Sequence, residues 1–259
     1  MSSPVDLSWD AEGDPKAPVL VLAHALGSDR SIWEHQVEAL KASYRVVRVD
    51  LRGHGASPAP VGPYSIEDIA MDVLRVADVA GIRRFRYCGI SLGGLAGLWL
   101  AVHHPDRIAA LVAANTASKI GTAEGWQARA AAVAAQGLAP LADAIPARWV
   151  SPAFAAENPA RLERLRRVFV STDPRGYEAS CHALGQADLT PMLASIRAPT
   201  LVVGGRLDLS TPVSDAESLH SRIEGSALVV LEGATHLSNL DQADRFTAAV
   251  AQFLARSRE

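Results

Sequence analysis

The chain has 259 residues, of which 49% are hydrophobic and 20% are charged. This balance is typical of a globular protein, and a formal net charge of −3 argues against nucleic acid or an anionic membrane as a partner. The first residues lack a basic region followed by an apolar stretch, and no apolar segment approaches the ~18 residues of a membrane span. With only two cysteines as well, we expect a cytoplasmic protein.

The first third of the chain alternates apolar runs with an amphipathic stretch. The runs at residues 19–22 and 44–49 predict buried strands, and apolar residues at helical spacing predict a helix from Ser65 to Ala80. Between these elements, we interpret Asp50, Arg52 and His54 as structural groups that tie a tight loop together by hydrogen bonds. Alternating strands and helices predict the α/β class, with a mostly parallel central sheet flanked by helices.

The most informative segment is Gly89-Ile90-Ser91-Leu92-Gly93. A predicted strand at residues 84–88 leads into this G-x-S-x-G sequence and a predicted helix at 94–101 leads out, which is the context of a nucleophile elbow. The glycines allow a turn too sharp for a Cβ atom, and the hydroxyl stands at the positive end of a helix. We therefore predict that Ser91 is a nucleophile.

A nucleophilic serine needs a histidine base and a carboxylate that orients the base, in the chain order Ser, Asp or Glu, His on this kind of sheet. Two further buried strands are predicted downstream, and Asp208 and His236 each lie on the loop just after one of them. We therefore predict a Ser91–Asp208–His236 triad. The alternative carboxylates, Asp215 and Asp241, are interpreted as surface or first-turn acids.

An oxyanion hole needs two backbone N–H groups directed at the tetrahedral oxygen. We assign one to Leu92, the residue after the nucleophile, and the other to Leu26, in the loop after the first predicted strand. In that loop Ala25 stands where the usual pattern has glycine, and His24 is given no catalytic role. No cluster of His, Cys, Asp and Glu has metal-ligand spacing, so no metal is predicted.

The strand–helix alternation stops after a predicted strand at residues 108–113. From about residue 122 to residue 188 there are helical stretches broken by prolines and no convincing strand. We expect residues 122–188 to form an all-helical cap inserted into an α/β core of residues 1–121 and 189–259. A cap at this point would cover the strand ends that carry the triad.

These motifs are similar to those of the α/β-hydrolase superfamily, and the chain resembles the 3-oxoadipate enol-lactonases through nearly its whole length. The elbow and the triad indicate only the superfamily, whereas matches in the cap region favour the lactonases. Besides the elbow, the resemblance is carried by residues 52–57, 62–67, 115–120, 147–149, 176–177 and 236–239, with Trp126, Arg129 and Cys181.

The resemblance implies hydrolysis of 3-oxoadipate enol-lactone to 3-oxoadipate in the β-ketoadipate pathway of aromatic catabolism, through an acyl-enzyme and without a cofactor. The partner is then a small-molecule lactone or ester, with no role for nucleic acid or membrane. The ionised carboxylate of such a lactone calls for a cation in the pocket. Arg129 follows Trp126 by three residues on one predicted helix, so together they can offer a guanidinium and a flat wall. We predict Trp126 and Arg129 as substrate-binding residues.

Two alternatives remain open. A cofactor-free haloperoxidase or a general carboxylesterase would use the same triad and oxyanion hole. A non-catalytic ligand receptor on the same fold would keep the triad but turn substrate over very slowly. A turnover assay separates the receptor from the enzymes, and comparing the enol-lactone with neutral esters separates the enzymes from one another.

Overall fold

The computed structural model describes residues 4–257. Within this range one sheet contains seven strands in the order β1-β3-β2-β4-β5-β6-β7. The strands are β1 (Trp9–Glu12), β2 (Val19–Ala23), β3 (Arg45–Val49), β4 (Phe85–Ile90), β5 (Ile108–Ala114), β6 (Thr200–Gly205) and β7 (Ala227–Leu231). β1 is antiparallel to β3, and all the other pairs are parallel. The predicted α/β class and mostly parallel sheet are confirmed.

Helices connect and cover these strands. The α-helices of the described range are α1 (Glu34–Leu40), α2 (Ile66–Val79), α3 (Leu92–His103), α4 (Ala123–Gln136), α5 (Pro152–Glu157), α6 (Pro159–Ser171), α7 (Pro174–Gln186), α8 (Val213–Arg222), α9 (Ser238–Asp241) and α10 (Ala243–Arg256). Short 3-10 helices occur at Arg30–Trp33, Pro105–Arg107, Ala139–Leu141, Pro146–Arg148 and Thr190–Ser195. Between residues 4 and 257, no helix combines the length and the hydropathy needed to cross a membrane.

The predicted strands agree closely with the observed ones, but the sequence did not reveal β1. This strand is short, lies at the edge of the sheet, and carries charged residues at two of its four positions. Its register pairs Asp10 with Arg48 of β3, and the Arg48 Nε atom donates to Asp10 Oδ1 at 2.8 Å. A charged edge strand shows little apolar alternation, and cross-strand pairing stabilises it instead.

The loop after β3 is fastened to α2 by a buried ion pair. Within the loop, His54 Nδ1 donates to the Arg52 carbonyl at 2.9 Å, and the Ala56 N–H donates to Asp50 Oδ2 at 3.1 Å, as expected for a tight loop. The Arg52 guanidinium leaves the loop, however, and donates from Nε and Nη2 to the two Asp72 oxygens at 2.6 and 2.7 Å. Both side chains are fully buried.

Helices α4–α7 lie between β5 and β6 in the chain, and α4 packs along α7. They come close to the loops that follow the strands at two glycines. A Cβ atom on Gly53 would lie 2.5 Å from the Gly176 Cα, and one on Gly27 would lie 2.8 Å from the Phe169 ring. Both glycines have positive φ, so they allow the turn and the contact together. The α6–α7 helices therefore rest directly on the loops after β2 and β3.

Candidate active site

Ser91 occupies a sharp turn between β4 and α3. Its φ of 55° and ψ of −115° lie in a region that costs a non-glycine residue strain. The turn leaves no room for side chains beside it, because a Cβ on Gly89 would lie 2.3 Å from the Gly93 carbonyl oxygen, and one on Gly93 would lie 2.5 Å from a carbonyl oxygen at the end of β2. The Thr116 hydroxyl donates to the Ser91 carbonyl at 2.8 Å. The serine side chain is thus presented at the N-terminus of α3.

Asp208 and His236 meet across the loops that follow β6 and β7. His236 Nδ1 donates to Asp208 Oδ2 at 2.8 Å. Burial raises the pKa of Asp208, but the adjacent His236 and the hydrogen bonds from Asn115 and Thr211 outweigh burial and lower that pKa to about 2. An ionised carboxylate only accepts, so Nδ1 carries a proton in this hydrogen bond, and Nε2 is the ring nitrogen that Asp208 leaves free.

The Asp208 carboxylate is held by donors on every side. Its Oδ1 accepts from the backbone N–H groups of Ser210 and Thr211 at 2.8 and 3.1 Å. Its Oδ2 accepts from the Thr211 hydroxyl at 2.8 Å and from Asn115 Nδ2 at 2.9 Å, besides His236. This shell fixes the carboxylate in one orientation and keeps it charged.

Asn115 is a site residue that the sequence analysis did not single out. It follows β5 directly, with a φ of 43°, a conformation that asparagine adopts more readily than most residues. Its amide also donates to the Thr235 carbonyl at 3.0 Å and accepts from the Ser238 hydroxyl. A polar residue at the carboxyl end of a central strand was the available signal. Asn115 also begins one of the segments that carry the resemblance.

Ser91 and His236 line one cavity of about 210 Å³. The other lining residues are Leu26, Ile120, Gly121, Trp126, Arg129, Ile145, Arg148, Trp149, Tyr177, Leu209 and Ser210. Within the described range, the His236 ring is hydrogen-bonded to Asp208 and not to the Ser91 hydroxyl. Hydrogen bonds between a base and a nucleophile are often long in structures without substrate. Across residues 4–257, no group of three or more His, Cys, Asp or Glu side chains is arranged to hold a metal ion.

The two predicted oxyanion donors lie on adjoining segments. Leu92 is the first residue of α3, so its N–H has no partner inside the helix, and Leu26 lines the cavity. The Gly93 N–H donates to the His24 carbonyl at 3.2 Å, which brings the loop of Leu26 against the turn of Leu92. The Ala25 side chain, at the position where glycine is usual, is buried.

The predicted substrate-binding residues both line the cavity. Trp126 is fixed by its indole N–H, which donates to the Ile120 carbonyl, and Arg129 Nη1 donates to the Tyr177 hydroxyl at 3.3 Å. Arg148 is a second cation in the lining. The lining residues that the structure describes thus include two arginines and no Asp or Glu.

The two alternative carboxylates differ from one another. Asp215 lies in the first turn of α8, as expected, and burial together with Asp208 raises its pKa. The interpretation of Asp241 as a surface or first-turn acid was incomplete. Asp241 does lie in the first turn of α9, but its carboxylate accepts hydrogen bonds from Ser151 and Thr235, because α9 begins directly behind the His236 loop.

Comparison with known proteins agrees with this architecture. The family model of the alpha/beta hydrolase fold matches residues 18–243, and the chain therefore belongs to the α/β-hydrolase fold family. It is 41% identical to 3-oxoadipate enol-lactonase 2 of Acinetobacter baylyi, over 97% of this chain and 94% of that protein. The solved structure of the enol-lactonase from Burkholderia xenovorans is 42% identical, with a TM-score of 0.94 and 96% of each chain covered. The predicted resemblance to the enol-lactonases is confirmed.

A second kind of relative is more distant. A protein of Klebsiella pneumoniae with the name “Putative carbamate hydrolase RutD” is 33% identical, over 93% of this chain and 92% of that protein.

Proposed function

We propose that this protein is a serine hydrolase that opens 3-oxoadipate enol-lactone to 3-oxoadipate in the β-ketoadipate pathway of aromatic catabolism. The observation that carries the proposal is the cavity. Its described lining contains Ser91 and His236 together with two arginines, Arg129 and Arg148, and no Asp or Glu. Its volume of about 210 Å³ is below the roughly 300–1,000 Å³ of drug-sized pockets. A small anionic lactone fits these limits, and the enol-lactonase relatives support the same choice.

The proposed reaction begins with acylation. His236 Nε2 takes the proton of the Ser91 hydroxyl as the oxygen attacks the lactone carbonyl, and Asp208 holds the imidazole in the productive tautomer. The negative charge on the tetrahedral oxygen is stabilised by the N–H groups of Leu92 and Leu26. When the ring C–O bond breaks, the enolate leaves the carbonyl carbon but stays tethered within the acyl chain.

Acylation ends when the enolate takes the proton from His236 and tautomerises to the ketone, which leaves an acyl ester on Ser91. Deacylation then uses the same base. Water then attacks this ester while His236 removes one of its protons. The acyl C–O bond breaks as His236 returns that proton to Ser91, and the carboxylic acid that leaves gives its own proton to solvent and becomes the product carboxylate. No cofactor enters any step.

We also propose that residues 122–188 serve as a cap on a core formed by residues 1–121 and 189–259. Side chains from α4 and α7 and from the stretch between α4 and α5 contribute to the cavity lining, among them Trp126, Arg129, Trp149 and Tyr177. The core then supplies the reacting groups and the cap supplies about half of the lining residues. In this arrangement Arg129 binds the substrate carboxylate beside the flat face of Trp126.

The test is kcat/KM on freshly generated enol-lactone, beside p-nitrophenyl acetate and an aryl carbamate. We expect the enol-lactone to be preferred by at least about two orders of magnitude, since one charge-assisted hydrogen bond alone contributes roughly 10- to 150-fold. A ratio near one between the lactone and the acetate would indicate a general carboxylesterase. Preference for the carbamate, or bromination with peroxide, would indicate another hydrolase-fold activity, and no turnover at all would indicate a ligand receptor.

A further inference from the structure

The two residues that flank His236 are hydrogen-bonded to one carbonyl group. The Leu237 N–H donates to the Trp149 carbonyl oxygen at 2.7 Å, and the Thr235 hydroxyl lies 2.7 Å from the same oxygen. The Trp149 side chain lines the substrate cavity together with His236. A wall of the cavity and the loop of the base are thus joined through a single peptide group.

The Asp241 carboxylate is hydrogen-bonded to both of these segments. Its Oδ1 accepts from the Ser151 N–H at 2.7 Å, and its Oδ2 accepts from the Thr235 N–H at 2.7 Å. The Thr235 hydroxyl lies 2.6 Å from Oδ2, so its one proton serves either the carboxylate or the Trp149 carbonyl. Ser151, Thr235 and Trp149 are all buried, and buried backbone N–H groups need an acceptor. One carboxylate satisfies two of them on two different segments.

We propose that Asp241 is a positioning residue for the reaction: it holds the His236 loop and the Trp149 wall in one rigid unit, so that base and bound substrate keep their relative placement. The inference rests on the proposed serine-hydrolase chemistry, in which His236 is the base. Asp241 does not itself touch the cavity, whose lining excludes it. Its effect is exerted through Thr235, which directly precedes His236, and through Ser151, two residues after Trp149.

Asparagine at position 241 provides a sharp test, because an amide has one acceptor oxygen where a carboxylate has two. Asp241→Asn can keep either the Ser151 or the Thr235 N–H bond, but it turns an NH₂ group towards the other. The unit then loosens at one end while the volume of the side chain is nearly unchanged. A displacement of about 1 Å can cost an enzyme roughly 100-fold in rate.

The experiment measures kcat, KM and melting temperature, together with the rate at which a fluorophosphonate labels Ser91. We expect Asp241→Asn to lower kcat by roughly 10- to 100-fold on both the enol-lactone and p-nitrophenyl acetate, with a similar fall in labelling rate, because labelling needs only Ser91 and its base. The matched control is Asp244→Asn. The Asp244 side chain is 95% exposed and pairs only with His35 among the described residues, so kcat should stay at the wild-type value.

Thr235 provides an independent route if Asp241→Asn fails to fold. Thr235→Val removes the shared hydroxyl and should lower kcat by roughly 3- to 10-fold, which corresponds to the loss of one ordinary hydrogen bond. Thr235→Ser keeps the hydroxyl, so its kcat should stay close to that of the wild type. The proposal is overturned if Asp241→Asn lowers the melting temperature but leaves kcat and labelling unchanged, or if Thr235→Val and Thr235→Ser behave alike. A wild-type protein that is labelled and cleaves the acetate but not the lactone contradicts only the proposed substrate. The Asp241 test then proceeds on the acetate.

Discussion

Asn115 and Asp208 are joined by a hydrogen bond of 2.9 Å from Nδ2 to Oδ2, the carboxylate oxygen that also accepts from His236. Asn115 follows β5, whereas Asp208 and His236 follow β6 and β7, so three neighbouring strand ends converge on one oxygen atom. The Asn115 amide is itself oriented by the Ser238 hydroxyl, which donates to its Oδ1. The Asp208 carboxylate is therefore held in place by groups other than His236.

The first prediction follows from this contact. Asn115→Gly removes the amide but tolerates the positive φ, and we expect kcat to fall by roughly 10- to 100-fold, because a hydrogen bond to a charged group contributes about 1.5–3 kcal/mol. Steady-state kinetics on the enol-lactone measures this loss. Asn115→Ala should lose the same activity and also some thermal stability, since alanine strains this backbone. Wild-type kcat in the glycine variant would show that Asp208 needs no support from β5.

The second prediction concerns the strained elbow. Ser91→Ala should lower hydrolysis by several orders of magnitude, because the triad acts as a unit. Ser91→Gly should be equally inactive but more stable than Ser91→Ala by roughly 1 kcal/mol, since glycine relieves the positive φ. Urea denaturation compares the two free energies of unfolding. A tenfold loss corresponds to an increase of only ~1.4 kcal/mol in the activation free energy. If the alanine variant keeps more than about a tenth of the activity, Ser91 is not the nucleophile.

The third prediction concerns the carboxylate. Asp208→Asn should favour the wrong tautomer of His236 and cost roughly 10⁴ in kcat, as the corresponding change does in a serine protease. Asp215→Asn is the matched control, because Asp215 lies near Asp208 in the first turn of α8, but among the described residues the His236 ring is hydrogen-bonded to Asp208 and not to Asp215. Its kcat should remain close to that of the wild type. Comparable losses in the two variants would move the orienting role away from Asp208.

The fourth prediction concerns selectivity for an anion. Arg129→Met should lower kcat/KM for the enol-lactone by roughly 10- to 150-fold and leave p-nitrophenyl acetate, which has no carboxylate, nearly unchanged. Arg148→Met is the matched comparison, since Arg148 lines the same cavity. Equal losses on both substrates would reveal a structural role for Arg129, and a loss confined to the Arg148 variant would assign the carboxylate to Arg148.

The fifth prediction concerns stability at acid pH. The pKa of Asp208 is lowered from 3.8 to about 2 in the folded protein, because His236 and its donors outweigh the effect of burial. Its contribution to stability, about 2 kcal/mol by this shift, is present above pH 4 and is lost as the pH falls towards 2. The difference in free energy of unfolding between the wild type and Asp208→Asn should narrow over this window. A difference that stays constant down to pH 2 would contradict the lowered pKa.

The sequence by itself determined the α/β class and six of the strands, and it predicted the triad candidates. These features depend on local patterns: apolar runs define β2 to β7, and two glycines with a serine define the elbow at Ser91. The triad candidates followed from the rule that reacting groups lie at the carboxyl ends of parallel strands. The start of α2 at Ser65 was equally local, and the structure shows a full capping box between Ser65 and Asp68.

Only the tertiary structure decided which polar side chains meet. Asn115 and Asp208 are 93 residues apart in the chain, and Ser151 and Asp241 are 90 residues apart. No local pattern distinguishes Asp241 from Asp244, because Asp241 lies just before α10 and Asp244 lies in its first turn. Only Asp241 is hydrogen-bonded to two segments that are distant from one another in the chain, whereas Asp244 is on the surface. The same applies to β1, whose charged residues pair with β3 and not with their sequence neighbours. Hydrogen bonds between distant segments depend on positions within about an ångström, and only the packed chain sets those positions.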